Sequence, residues 1–132
     1  MINIRKQAKY WRDSAKRDWK SAKILFENKR YDSSLFFCHL TLEKLLKGLV
    51  VTRVRKLAPF SHDLANLAET ASLKLTEKRL ETLRLINSFN ISGRYDSLKM
   101  DFYKQCTKEY AERYLKLTDN LRKWLEKEYP KK

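Results

Sequence analysis

The segment DSSLFFCHLTLEKLLKGLVVTRVR, residues 32–55, decides the fold of this chain. Asp32 or Ser33 is the predicted N-cap, because a short polar side chain accepts a hydrogen bond from a free backbone N–H at a helix start. The predicted helix runs to about Thr52 or Arg55. Its apolar residues cover a wide arc, which predicts the most buried helix of the protein. They are Leu35, Phe36, Leu40, Leu42, Leu45, Leu46, Leu49 and Val50.

An amphipathic helix is predicted before this segment, in residues 5–28. Apolar residues recur there at spacings of three and four, which places them on one helical face. They are Ala8, Trp11, Ala15, Trp19, Ala22 and Phe26. Five basic residues follow the same spacing one position later, about 100° around the helix. This basic stripe consists of Lys9, Arg12, Lys16, Lys20 and Lys23. The short turn at residues 28–30 predicts that the two helices are antiparallel neighbours.

Three further helices are predicted after residue 55. Pro59 ends the preceding segment, and Ser61 is the predicted N-cap of a short helix. Thr76 opens a medium helix that ends just before Gly93, its predicted C′ residue. A last long helix is predicted for residues 103–129, where apolar and aromatic residues again recur at spacings of three and four.

The composition favours an all-α fold. Two glycines and two prolines in 132 residues leave few tight turns, since typical usage is about 7% and about 5%. The length suits one domain, residues 1–132. We therefore expect an antiparallel, up-and-down bundle of four to five helices. Apolar surface left over on so small a bundle predicts a homodimer.

The chain carries a large excess of positive charge. Thirty basic and sixteen acidic residues give a net charge of +14, and residues 1–30 hold ten basic and three acidic ones. Such an excess attracts polyanions. The basic stripe is therefore either a solvated flank whose aliphatic stems cover the edge of the core or a phosphate-binding ridge. Tyr10 is the best-placed aromatic for base stacking, whereas the aromatics at helical spacing are predicted to be core residues: Trp11, Trp19, Tyr110, Tyr114 and Trp124.

The two cysteines and the most apolar run bear on compartment and cofactors. Cys38 and Cys106 fall in predicted helices and lack the spacing of metal ligands, so buried free thiols are expected. The run LLKGLVV, residues 45–51, is short and contains Lys47, so no membrane span is predicted. We expect a cytoplasmic protein without a metal or other cofactor.

The order of several motifs resembles the HEPN family of small helical domains. An Ala-containing amphipathic helix precedes LEKLLKGL at residues 42–49, which is followed by HDL at residues 62–64 and by Arg-Tyr at residues 94–95. No one of these motifs is specific, but their order and spacing are, and the likeness covers about residues 8–125. The resemblance implies a bundle of four or five helices, commonly dimeric. In prokaryotes such domains are often encoded beside a minimal nucleotidyltransferase as a toxin–antitoxin-like pair.

The resemblance also raises the question of catalysis. Many members resemble metal-independent ribonucleases, in which an arginine is followed four to six residues later by a histidine, and both subunits of a dimer supply these groups. The imidazole can then act as a general acid or base while the guanidinium holds phosphate charge. If Arg94 is that arginine, the corresponding positions hold Leu98, Lys99 and Met100. The ribonuclease motif is therefore absent from this sequence.

Arg94 and the two histidines each keep two interpretations. Arg94 either contacts phosphate beside a stacking Tyr95 or forms an ion pair with Asp96 or Glu43. His39 is either a neutral core histidine or a catalytic group. His62 either packs at the start of the third helix or transfers protons with a distant arginine.

Three functions follow from these observations. The first is a non-catalytic HEPN-like module that binds RNA or nucleotide phosphates, or a nucleotidyltransferase partner, through Arg94, Tyr95 and the basic stripe. The second is a ribonuclease whose rearranged site uses Arg94 with His39 or His62. The third is a structural partner protein whose charge only maintains its solubility.

Overall fold

The computed structural model describes residues 2–131, except for the side chains at positions 93 and 96. Within these residues the chain forms six α-helices. They are α1 (Ile4–Glu27), α2 (Tyr31–Val54), α3 (Leu64–Thr70), α4 (Glu77–Arg94), α5 (Asp96–Gln105) and α6 (Lys108–Glu128). The predicted all-α class is confirmed, but the bundle has six helices in the described part of the chain rather than four or five.

Helix α2 is the centre of the bundle and packs against all five other helices. Most of its apolar residues from Leu35 to Val51 are almost completely buried, while Phe36, Phe37 and Leu40 are half-buried. This confirms that α2 is the most buried helix, as predicted. Helix α1 lies antiparallel to it. At one end the Ser34 hydroxyl donates to the carbonyl oxygen of Ala22 at 2.7 Å, and towards the other end Trp11 lies beside Gly48.

The start of α2 differs from the prediction. The helix begins at Tyr31 after Arg30, whose side chain makes no capping hydrogen bond. Asp32 lies in the first turn instead of capping it, where its negative charge faces the positive end of the helix dipole. At the other end, Arg55 takes the left-handed conformation with φ 61° and its N–H bonds to the carbonyl oxygen of Val51.

The predicted starts of α3 and α4 have different outcomes. Asp63, not Ser61, caps α3, because its side chain accepts from the backbone N–H of Asn66. The Ser61 hydroxyl instead accepts from the N–H of Asp63. Thr76 caps α4 as predicted and accepts from the N–H of Arg79.

The predicted end of α4 and the predicted single last helix are both wrong. The helix continues through Gly93 to Arg94 rather than stopping before it, and Tyr95 alone separates α4 from α5. The predicted last helix is two helices. Helix α5 ends at Gln105 with Cys106 as its C-cap, and Thr107 is the N-cap of α6, because its side chain accepts from the backbone N–H of Tyr110.

The C-terminal end of α6 approaches α2 closely at Gly48. The Tyr129 hydroxyl donates to the carbonyl oxygen of Leu45 at 2.6 Å, and a Cβ atom at position 48 would collide with that hydroxyl. Burial raises the pKa of Tyr129. Gly48 therefore serves close packing in the middle of a helix, despite its low helix propensity.

The cysteines are both free and buried, as predicted. Burial raises the pKa of each thiol to about 12, so neither carries the thiolate that reacts. Cys38 lies in α2, whereas Cys106 is the C-cap of α5 rather than an interior helical residue. None of the helices in the described residues has the length and apolar character that crossing a membrane requires.

Candidate functional site

Seven polar side chains on α2, on α4 and in the linker before α3 form a candidate site, and four of them are buried: His39, Glu43, Lys47 and Asn90. Helix α2 places His39, Glu43 and Lys47 at a spacing of four, on one face. Helix α4 adds Asn87, Asn90 and Arg94 at spacings of three and four, and His62 comes from the linker before α3. We call these seven residues the polar seam.

Glu43 is the centre of the polar seam and is only 4% exposed. Its Oε1 accepts from Nδ1 of His62 at 2.9 Å, and its Oε2 accepts from Nζ of Lys47 at 3.1 Å. Lys47 is itself buried, and its Nζ lies 5.4 Å from the centre of the Trp11 ring. A buried carboxylate needs such partners, because an unpaired charge in the core is costly.

The hydrogen bonds assign the tautomers of both histidines. His39 is fully buried, and its Nε2 lies 2.9 Å from the carbonyl oxygen of His62. Only an N–H can bond to a carbonyl, so Nε2 of His39 is the donor. Burial holds the pKa of His39 below its usual range. The neutral ring then turns an unprotonated Nδ1 towards Glu43 Oε1, 3.7 Å away.

His62 is oriented by both of its contacts. Its Nδ1–H points at Glu43, so in the neutral ring the unprotonated atom is Nε2. The side chain is 52% exposed, which leaves this atom within reach of solvent or a ligand. The pair has the form of a carboxylate-oriented imidazole, the arrangement that fixes a histidine for proton transfer.

Arg94 and Tyr95 lie at the other end of the polar seam. Arg94 Nε donates to Oδ1 of Asn90 at 2.6 Å, and its guanidinium lies 5.9 Å from the Phe36 ring. Tyr95 is 59% exposed. The expected Arg94–Glu43 ion pair does not form, because Glu43 is held by Lys47 and His62. The expected Arg94–Asp96 pair falls on a side chain that lies outside the described residues.

Phe36, the ring that Arg94 approaches, also lines a small cavity of about 270 Å³. The cavity lies between the start of α2 and α5. Its lining combines phenylalanine rings with hydroxyl and charged groups: Asp32, Ser33, Phe36, Phe37, Lys99 and Phe102. Arg94 lies beside Phe36 of α2, and His62 lies beside Glu43 of α2. Phe36 and Glu43 are seven residues apart, which is about 10 Å along the axis of an α-helix. Within one chain, Arg94 and His62 therefore do not form a single pocket.

The basic stripe lies on the opposite side of α2 from Arg94. Ser34 contacts α1 and Phe36 contacts Arg94; residues two positions apart point about 200° apart around a helix. The predicted phosphate-binding residues thus belong to two surfaces, one on α1 and one at the α4–α5 junction.

Two members of the basic stripe are held by acidic neighbours. Lys9 Nζ lies 2.6 Å from Asp13, and this contact lowers the pKa of the aspartate. Arg12 lies 2.7 Å from Glu126 and 4.4 Å from the centre of the Tyr129 ring; the hydrogen bond to Glu126 raises the pKa of the guanidinium. Lys9 is thus paired within α1, and Arg12 ties α1 to α6.

The other three members of the basic stripe are exposed. Lys23 lies 5.8 Å from the centre of the Trp19 ring. Lys16 and Lys20 have no ion-pair or hydrogen-bond partner in residues 2–131. Tyr10 is 56% exposed and packs edge-on against Trp11 at 5.2 Å. Of the predicted core aromatics, Trp19 and Tyr114 are buried, while Trp11, Tyr110 and Trp124 are half-buried.

Sequence reasoning missed the asparagines of the polar seam. Asn87 accepts from the backbone N–H of Leu64 at 3.1 Å and so joins α4 to the start of α3. Asn90 is buried and positions Arg94. The sequence does contain a signal for these asparagines, because Asn87 and Asn90 interrupt the apolar face that Leu83, Ile86 and Phe89 define. No group of three or more metal-ligating side chains occurs among the described residues.

These features define a small helical bundle with a buried polar cluster and a basic outer helix. The family model for the HEPN domain matches residues 8–128, and the chain therefore belongs to the HEPN domain family. The fold is similar to that in the crystal structure of TT1696 from Thermus thermophilus, with a TM-score of 0.77 and 21% sequence identity over 93% of this chain and 98% of that chain. Comparison with curated proteins finds no match.

Proposed function

We propose that this HEPN domain is a binding module for the phosphates of RNA or nucleotides, with the basic stripe on α1 as its main contact surface. The observation that carries the proposal is the state of Lys16 and Lys20, which are exposed and have no ion-pair or hydrogen-bond partner in the described residues. They lie four positions apart on one face, a rise of about 6 Å. Unpaired ammonium groups in a row are suited to a phosphate backbone, which supplies most of the affinity in such complexes.

The distribution of charge supports binding over mere solubility. Helix α1 and its flanks hold half of the net charge of the protein. Lysine–carboxylate pairs such as Lys116–Glu112 and Lys123–Asp119 on α6 show local neutralisation, whereas Lys16 and Lys20 form no such pair in the described part of the chain. Few aromatic side chains accompany the stripe, which favours contacts with the backbone over sequence reading.

The test is a salt titration with a fluorescently labelled single-stranded RNA. We expect low-micromolar affinity near 50 mM salt that falls steeply as salt rises, since each phosphate contact contributes about 0.7 to the slope of log K against log salt. The variant with Lys16, Lys20 and Lys23 all changed to Gln should lower that slope by about 2.

A matched control removes the same charge elsewhere. Lys74, Lys104 and Lys127 are exposed, and the corresponding triple Gln variant should bind nearly as wild type. Equal loss in both variants would show that only net charge matters. Affinity that barely changes with salt, or an absence of binding at low-micromolar protein, would contradict the proposal.

We also propose a homodimer and a nucleotidyltransferase partner, as in a toxin–antitoxin-like pair. Support for the dimer comes from exposed apolar side chains at the α4–α5 junction: Ile91, Tyr95, Leu98, Met100 and Tyr103. Light scattering should give twice the chain mass of 15.9 kDa and a monomer for the Leu98→Glu/Met100→Glu variant. Co-purification with a small nucleotidyltransferase encoded in the adjacent gene tests the partner.

A metal-independent ribonuclease is the second candidate function, because Glu43 orients His62 with Nε2 outward. Arg94 and His39 belong to the same polar seam. This function requires a dimer in which Arg94 of one protomer lies near the other protomer's His62, because the two groups are separated within one chain. RNA cleavage by wild type, lost in Arg94→Ala and His62→Ala, would support this function; an inactive wild type would reject it.

A further inference from the structure

The linker between α2 and α3, residues 55–63, exposes an aromatic ring completely. Phe60 has a relative exposure of 107%, and Leu57 one of 59%. Burying a phenylalanine side chain stabilises a fold, so a ring wholly in solvent forgoes that stabilisation. Neither the fold nor the basic stripe accounts for its position.

Phe60 is nevertheless held by anchored neighbours rather than by a free loop. Pro59 fixes the backbone before it. Two positions after it, His62 is tied twice to the buried part of α2: its ring donates to Glu43 and its carbonyl oxygen accepts from His39. Ser61 bonds the N–H of Asp63, which caps α3. The backbone that follows the ring is therefore anchored at Ser61, His62 and Asp63.

Two cations precede the exposed ring by four and five positions in the same linker. Arg55 and Lys56 are exposed, and their side chains have no ion-pair or hydrogen-bond partner among the residues that the structure describes. The antiparallel packing of α1 on α2 places the N-terminal end of α1, with exposed Arg5 and Lys6, at the same end of the bundle as this linker. The basic stripe thus leads along α1 towards the end that carries Phe60.

We propose that Phe60 is a stacking platform for a base of single-stranded RNA, and that Arg55 and Lys56 contact the adjoining phosphates. The proposal rests on the proposed function and extends its binding surface from α1 to the linker. A ring with both faces free accepts a base of any sequence, and such stacking combined with a basic track is the usual way to hold single strands. The buried Glu43–His62–His39 contacts then position the platform.

Anisotropy with a labelled twelve-nucleotide oligoadenylate tests the platform. Phe60→Ala should weaken binding by about 5- to 150-fold without changing the salt slope, because stacking releases no counterions. Phe60→Trp should retain affinity. Phe60→Leu is the matched control, since it keeps an apolar side chain and removes the π-face, and it should bind as weakly as Phe60→Ala.

His62→Ala tests the positioning role. It should weaken RNA binding although Phe60 is intact, and the Phe60→Ala/His62→Ala double variant should be no weaker than Phe60→Ala alone, because both changes act on one contact. Circular dichroism verifies that each variant is folded. Full additivity of the two changes would overturn the positioning role.

The outcomes separate this inference from the proposed function. RNA binding that depends on Lys16, Lys20 and Lys23 but is indifferent to Phe60→Ala would overturn the inference alone, as would wild-type affinity in Phe60→Leu. Absence of RNA binding by wild type would overturn both. Sedimentation with phosphatidylcholine/phosphatidylserine vesicles that requires Phe60, without a Phe60 effect on RNA, would assign the ring to a membrane surface instead.

Discussion

The two sides of α2 are built from different chemistry. The side towards α1 is filled by small and aromatic residues such as Ala15, Trp19 and Ala22, all buried. The side towards α4 and the linker contains His39 and Glu43, which are equally buried but polar. The first side is held mainly by apolar packing, to which the Ser34–Ala22 hydrogen bond and the Lys44–Asp18 ion pair add, whereas the second depends on a specific set of hydrogen bonds.

The two sides also differ in what they leave exposed. The packing of α1 on α2 leaves the outer face of α1 free to carry lysines. On the polar side, the buried Glu43 carboxylate holds His62 of the α2–α3 linker. The linker exposes the side chains of His62 and Phe60. Buried polar groups are costly unless all are paired, so changes on this side should be the most damaging.

The largest effect is expected from Glu43→Ala. It leaves Lys47 buried without its carboxylate, and breaking one half of a buried ion pair costs about 3–5 kcal/mol. Urea denaturation should show this loss in the free energy of unfolding. The Glu43→Leu/Lys47→Met variant removes both charges and should be clearly more stable than Glu43→Ala. Equal destabilisation of the two variants would show that the buried charge is not the cause.

A smaller loss is expected on the apolar side from Gly48→Ala. The added methyl group meets the Tyr129 hydroxyl, and overpacking a core costs about 1–3 kcal/mol. In a Tyr129→Phe background the colliding oxygen is absent, so the same substitution should cost less when thermal or urea unfolding is measured. An unchanged cost in that background would refute the proposed collision.

The burial of His39, on the polar side of α2, predicts that the free energy of unfolding depends on pH. Burial keeps its folded-state pKa below the ordinary value of 6.5, so the unfolded chain takes up a proton that the folded chain does not. The free energy of unfolding should therefore fall as the pH drops below about 6.5, by at most about 1.4 kcal/mol per pH unit for one proton.

Unfolding in urea at pH 7.5, 6.5 and 5.5 measures the slope of the free energy of unfolding against pH. His39→Gln keeps an N–H donor for the carbonyl oxygen of His62 and removes the titration, so its slope over this range should be shallower than that of wild type. Equal slopes in the two proteins would mean that His39 does not control the pH dependence.

The smallest effect on stability is expected on the outer face of α1. Lys16, Lys20 and Lys23 are exposed, and surface substitutions away from caps and pairs change stability little. The triple Gln variant should therefore unfold at nearly the wild-type urea concentration while RNA binding falls. A large shift in the unfolding midpoint would assign these lysines to the fold instead.

The helices whose apolar residues recur with a clear helical period were predictable from the sequence. In α1 and α2 the apolar spacing located both helices to within a few residues, and Thr76 was recognised as a cap because a threonine preceded a periodic segment. The α4–α5 junction was missed, since Gly93 is a good helix terminator by local preference but the helix continues past it. Thr107 divides the last pattern, and its capping role is invisible in the apolar spacing.

The polar seam was predictable only in part. His39, His62, Glu43 and Arg94 were each identified as candidates, but which of them meet depends on the packing of α2 against the linker and α4. Arg94 pairs with Asn90, one turn away on its own helix, rather than with Glu43. Phe60 gave no periodic signal at all, because its exposure is a property of the fold around it.

Photocrosslinking of a single-stranded RNA that carries 4-thiouridine, followed by mass spectrometric mapping, decides between the two candidate RNA-binding surfaces, which are α1 with the linker and the α4–α5 junction. We expect crosslinks in peptides from α1 and from the linker that contains Phe60. Crosslinks concentrated at Arg94, Tyr95 and α5, with none on α1, would contradict this expectation.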